Sequence, residues 1–174
     1  MVPLSLSIAT MTLVSQSIGA NKQERAEEIG WSSVFFTTTL CITIGIAVWI
    51  FRVQLLDLYD PPAEVKVFSI PLFLFIAFYQ VFDALQITAA FILRAYRIAF
   101  WPMVIYAGSL WGVGLGGGYL MGFNVFGNTP EFLQGANGFW AGNSMSLGLA
   151  ALLLLYLFRK TAARFEKTHP PVEV

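Results

Sequence analysis

The chain has 174 residues, of which 57% are apolar, 16% aromatic and 11% charged. A soluble domain averages roughly 45–50% apolar and about 25% charged residues, so this composition excludes a water-soluble globular enzyme. Ten Lys and Arg balance ten Asp and Glu, which leaves no basic field for nucleic acid and no acidic tail. One cysteine, Cys41, and one histidine, His169, supply neither an internal disulfide nor a Cys/His metal cluster.

What remains is an all-helical integral membrane protein, one compact unit over residues 1–160 followed by a cytoplasmic tail, 161–174. About 20 apolar residues are needed to cross a ~30 Å hydrocarbon core. Five segments qualify, at about 1–20, 31–51, 63–93, 98–122 and 138–158. None shows the ten-residue alternation of an outer-membrane barrel strand. The first is uncharged from Met1 and lacks the positive lead-in of a signal peptide. A span with no lead-in reads as an internal segment of a longer protein.

Asp60-Pro61-Pro62-Ala63-Glu64 opens the third span, with Asp60 expected as N-cap and an acid in the first turn. Pro71 in the third span and Pro102 in the fourth are expected to bend their helices. With five alternating spans, Lys22, Arg25, Arg94, Arg97, Arg159, Lys160, Arg164 and Lys167 share one side. The other side holds only Arg52 and Lys66. The excess places the C-terminus in the cytoplasm and the N-terminus outside.

Asp83 is the one acidic residue well inside a span. It stands about 16 Å along a helix from Arg94, near the bilayer midplane. An ionisable group there costs at least ~2.5–3.5 kcal/mol on insertion scales, so it should face the protein interior or a wet cavity. Gln80 and Gln86 lie a helical turn to either side, and the three form a polar stripe able to hold a cation, a proton or water. The same stripe could instead hold a protonated Asp83 as an interhelical hydrogen-bond donor.

In the first span, Ser5, Thr12 and Gln16 share one side, which suits either a cavity lining or ordinary interhelical hydrogen bonding. The fourth span carries two small-residue ladders, Gly108-Gly112-Gly116 and Gly114-Gly118-Gly122, expected to pack against neighbours. No strand precedes its glycine run, which excludes a nucleotide-binding loop. Trp31, Trp49, Trp101 and Tyr156 sit near span ends as interfacial anchors, whereas Trp111 and Trp140 suit an interior lining. Cys41 is expected to be a packed small residue and His169 a solvated one. No catalytic triad, carboxylate pair or phosphate loop argues for an enzyme.

Several of these runs resemble one family. Pro3-Leu-Ser-Leu-Ser-Ile-Ala, Ser17-Ile-Gly-Ala-Asn with Ala26 and Gly30, and Leu56-Asp-Leu-Tyr with Ala63-Glu-Val are similar to multidrug and toxic compound extrusion (MATE) transporters. The most specific run is Tyr79-Gln80-x-x-Asp83-Ala-Leu-Gln86 followed by Ile92-Leu-Arg94-x-Tyr96-Arg97. It resembles the tenth helix of the NorM-like bacterial branch, and Gly138-Phe-Trp140 also fits. The resemblance aligns the chain, up to about residue 160, with helices eight to twelve of a two-lobe, twelve-helix transporter. Ala95 departs from the glycine usual there.

The resemblance implies a multidrug antiporter of the bacterial inner membrane that exports organic cations or amphiphiles in exchange for Na+ or H+. Asp83 would hold the coupling ion, supported by Gln80 and Gln86, with Tyr79, Thr12 and Gln16 lining the cavity. No cofactor is expected beyond that ion. The implied partners are the bilayer, the small substrates, and the N-terminal lobe and seventh helix that the sequence lacks. That lack implies a fragment of a longer transporter or a truncated product. A lipid-linked saccharide flippase of the same superfamily and a non-transporting membrane interaction subunit are the alternatives.

Overall fold

A computed structural model describes residues 2–168. Its elements in chain order are α1 (Val2–Gly19), α2 (Gln23–Ile50), the short α3 (Arg52–Asp57), α4 (Ala63–Ala95) and α5 (Phe100–Gly108). A π-helical segment (Ser109–Gly117), α6 (Gly118–Gly122), a 3-10 turn (Glu131–Leu133) and α7 (Ala136–Thr168) follow. The chain is therefore an all-α membrane protein, as its composition requires.

Four helices are long and apolar enough to cross a membrane among the described residues: Val2–Gly19, Gln23–Ile50, Leu72–Ala95 and Ala136–Phe165. The expected fourth span, 98–122, is not a single helix. It is a rod of α5, the π segment and α6. π-Helical bonding, which reaches one residue further than the α pattern, is rare beyond a single turn. It falls here on a run with glycine at 112, 114, 116 and 117, where few side chains favour the tighter winding. Pro102 is not the source of the irregularity. It lies buried in the first turn of α5, where a missing N–H leaves no partner unsatisfied. α4 runs unbroken through position 71, and the side chain of Pro71 lies outside the described residues, as does His169.

Helix ends follow local chemistry. Asn21 adopts a left-handed φ of 57°, and the Lys22 N–H donates back to the Ser17 carbonyl at 3.0 Å, closing α1. Arg97 does the same for α4 at φ 62°, with Ile98 N–H donating to the Leu93 carbonyl at 2.9 Å. Asp60 does not cap α4. The N-cap is Pro62, without a side-chain hydrogen bond, because Asp60 turns left-handed at φ 44° and the two prolines separate it from Ala63. Asp57 pairs with Lys66 across this turn.

α4 lies at the centre, packed on α1, α2 and α7. The core joins Val14, Val34, Leu93, Leu154 and Phe158, with Tyr96 and Ala162. Most of these belong to the end of the bundle where α1 and α4 finish and α2 begins. Trp31 and Phe158 meet there with ring centroids 5.1 Å apart, and Tyr96 packs on Phe165 at 5.3 Å. A methyl at Gly30 would lie 2.6 Å from Cζ of Phe158, so the ring seats directly on the α2 backbone. The opposite end is less tightly packed: Gln80, Phe82 and Asp83 are all partly exposed.

Candidate functional site

The site forms where the packed half of α4 gives way to the open half. Ala84, Thr88, Ala89 and Leu93 are fully buried, whereas Asp83, Gln80 and Tyr79 are partly exposed. Asp83 thus stands one residue above the sealed core, on an unbroken helix. Gln86, a turn below, is buried at 8% exposure. The three polar residues of the stripe are on the helix as expected, but they occupy different environments.

Two neighbours of Asp83 come from the geometry. Cys41 on α2 is fully buried, lies within electrostatic reach of Asp83, and is in hydrogen-bonding reach of the Gln80 side chain. Tyr79 lies in the field of both Asp83 and Tyr106 of α5, and its ring meets Trp140 of α7 edge-on at 5.9 Å. α2 and α4 therefore meet beside the carboxyl group, and Tyr79 connects it to Tyr106 of α5 and Trp140 of α7. Tyr106 and Trp140 are too far from Asp83 in sequence for spacing to connect them.

Below this site α1 closes the bundle with hydroxyls. Ser7 and Thr88 are hydrogen-bonded at 3.1 Å in a fully buried pair. Ser7 donates its proton to the Pro3 carbonyl at 2.7 Å, so Thr88 is the donor to Ser7. Thr12 and Gln16, expected to line the cavity, are on the exposed side of α1. The Thr12 hydroxyl turns back to the Ile8 carbonyl at 3.0 Å. The polar residues of α1 in the bundle are Ser7, Thr10 and Ser17. Among the described residues no three His, Cys, Asp or Glu side chains come together as a metal cluster.

Of the two glycine ladders, one packs and one does not. Methyl groups at Gly114, Gly118 and Gly122 would meet Ser146 and Phe139 of α7 at 2.7–3.2 Å. At Gly108 and Gly112 nothing lies within 4 Å. The packed ladder meets a matching one on α7, Gly138-x-x-x-Gly142-x-x-x-Ser146. Its small-residue spacing was there to be read in the sequence.

Beside this seam the π segment and α7 enclose an open cavity of about 360 Å³, lined by Trp111, Leu115, Phe139, Trp140 and Asn143 among others. Trp140 and Asn143 continue the inward stripe of α7, which is buried further down at Leu147, Ala151, Leu154 and Phe158. The cavity thus opens on the same side of α7 as the lobe's core. Of the two tryptophans expected as interior lining, Trp140 is partly buried, whereas Trp111 is 71% exposed at the rim of this cavity.

The MatE family model matches residues 1–120. The chain is 34% identical over 164 residues to the probable multidrug resistance protein NorM of Aromatoleum aromaticum, covering 94% of this chain and 35% of that protein. It is 30% identical to the multidrug resistance protein PmpM of Pseudomonas aeruginosa, over 97% of this chain and 35% of that protein. Its fold superposes on the crystal structure of the eukaryotic MATE transporter AtDTX14 with a TM-score of 0.78 at 19% identity, covering 95% of this chain and 37% of that one. The chain thus spans about a third of the length of these relatives. On the family match over more than half its residues, this membrane-embedded helical chain belongs to the MatE, multidrug and toxic compound extrusion, family.

Proposed function

We propose that the chain forms part of a multidrug antiporter that exports organic cations or other amphiphiles across the bacterial inner membrane in exchange for Na+ or H+. The observation that carries this reading is Asp83, an acid inside a membrane helix at the boundary between sealed core and open mouth. A carboxylate withdrawn from bulk water is stabilised by a proton or by a cation, and the two compete for it. That competition is the physical basis of coupling. Gln80 and Gln86 supply supporting dipoles, and Tyr79 borders the site. Alternating access would come from rocking of this unit against a second lobe about a midplane site. No covalent chemistry is assigned to it.

The orientation follows the basic residues, with the C-terminus in the cytoplasm and the N-terminus outside. Two alternatives lose support. The Gly114-Gly118-Gly122 ladder is used within the chain, which leaves less of the span for an interaction subunit. A saccharide flippase would need a cationic cavity, and among the described residues no Lys or Arg lines the site around Asp83.

The test is efflux of a fluorescent organic cation from cells expressing this segment with its native upstream sequence. Asp83→Asn keeps the side chain's size and removes its charge. Transport should fall at least tenfold, and its dependence on Na+ or pH should flatten. Undiminished, ion-dependent efflux by Asp83→Asn would show the residue to be a structural hydrogen-bonder. No efflux by the parent under either gradient would favour the subunit.

A further inference from the structure

An open groove of about 450 Å³ lies between α1 and α2, lined by Leu6 and Leu13 of α1 and by Arg25, Glu28, Ser32 and Phe36 of α2, among others. The four α2 residues follow one another a turn apart on one helix face. Eleven residues separate Arg25 from Phe36, about 16 Å along the helix. That is close to half of a ~30 Å hydrocarbon core, the depth of one leaflet. The lining changes character over this length. Two opposite charges stand where α2 begins, the hydroxyls of Ser32 and Ser33 come next, and Phe36 and Leu6 follow.

The polar groups of the groove are not used by the chain itself. Among the described residues Arg25 and Glu28 make no ion pair. Their order is the weaker one for a helical pair, with the cation nearer the N-terminus. Arg25 stands in the first turn of α2, where the helix dipole opposes a cation and favours an anion. Ser32 and Ser33 make no hydrogen bond among the described residues, whereas Thr38 and Thr39 donate to carbonyls one turn back at 2.6 and 2.9 Å. A phosphate on Arg25 and an ammonium on Glu28 would satisfy both charges, and the two-carbon link of an ethanolamine headgroup suits groups one turn apart. A glycerol headgroup would leave Glu28 without a cation, and a choline headgroup has no N–H to donate to it. A neighbouring helix would have to supply both countercharges from separate side chains. We propose that this groove binds one phosphatidylethanolamine molecule, with its phosphate on Arg25, its ammonium on Glu28, its ester oxygens accepting from Ser32 and Ser33, and one acyl chain along Leu13, Leu6 and Phe36. The site needs neither Asp83 nor the export reading.

The test is native mass spectrometry of the intact transporter, this segment with its native upstream sequence, after incubation with equal amounts of phosphatidylethanolamine, phosphatidylcholine and phosphatidylglycerol of matched acyl chains. The first bound lipid is scored. The parent should favour phosphatidylethanolamine roughly fivefold over each of the others. Glu28→Gln should erase that preference. Glu24→Gln removes the same charge from a position outside the groove lining and should keep it. Arg25→Gln should lower occupancy by the first lipid roughly fivefold. Ala9→Phe fills the groove from α1 without removing a polar group and should do the same; Ala9 is exposed, so the ring can be accommodated. Helical circular dichroism checks that each variant is folded. Equal retention of the three lipids by the parent overturns the proposal, and so does an equal loss of preference in Glu28→Gln and Glu24→Gln. Occupancy indifferent to both Arg25→Gln and Ala9→Phe would mean that upstream protein covers this face, and the lipid site falls.

Discussion

Gly142 of α7 and Gly118 of α6 meet backbone to backbone: a methyl group at Gly142 would lie 2.6 Å from the Gly118 nitrogen. The contact repeats a turn away on each side. Gly138 faces Gly122, where the added methyl would reach its nitrogen at 2.7 Å, and Ser146 faces Gly114 at 2.8 Å. The antiparallel seam holds the π segment against α7, and with it the wall of the aromatic cavity.

Gly142→Val should therefore separate the two elements. Neither backbone can move aside cheaply, and overpacking of this kind costs about 1–3 kcal/mol. Gly108→Ala meets nothing within 4 Å and should be neutral or stabilising by up to ~1 kcal/mol through helix propensity. Unfolding of the two variants in mixed detergent and denaturant separates them. Equal stability would mean that the seam carries no weight.

The two glutamines of the polar stripe should differ from Asp83 and from each other. Gln80 is partly exposed beside Cys41, and Gln86 is buried. Gln80→Ala in the intact transporter should slow efflux by a few-fold while leaving its Na+ or pH dependence in place, since the charge remains. Gln86→Ala leaves a gap in a buried position, so its main cost should be stability, about 1–3 kcal/mol. A flattened ion dependence in Gln80→Ala would move the coupling role away from Asp83 alone.

Tyr96, just beyond the α4 span, gives the fold an alkaline limit. It is 4% exposed, and its phenol is pushed up to about 12, first by burial and second by the nearby Glu27. The fold thus holds the neutral phenol. Below the unfolded value of 10.0 both states are protonated and its contribution is fully present. Above that the unfolded chain ionises first, so stability is lost as pH rises towards about 12. Tyr96→Phe has no proton to lose and should decline less over this window. The check is the unfolding midpoint in detergent across it. Parallel decline of parent and variant would remove Tyr96 from the account.

The sequence by itself determined the membrane class, the all-helical fold and the position of the one intramembrane acid. Each depends on chemistry local to a segment: runs of apolar residues must bury their backbone polar groups as helix, and a charge among them is visible at once. It also marked both glycine ladders, but spacing alone could not tell that Gly114, Gly118 and Gly122 pack while Gly108 and Gly112 stay open. That choice depends on which way α7 approaches. The break of the fourth span into a π segment was likewise hidden. Pro102 was the visible suspect, and it proved harmless because it falls in the first turn. Only the tertiary structure brought Cys41 to the surroundings of Asp83, set Tyr106 and Trp140 beside Tyr79, and joined Trp111 to Trp140 across one cavity. These residues come from α2, from the rod of α5 and the π segment, and from α7. Their meeting depends on how helices pack side by side, a property that periodicity along any single helix does not encode.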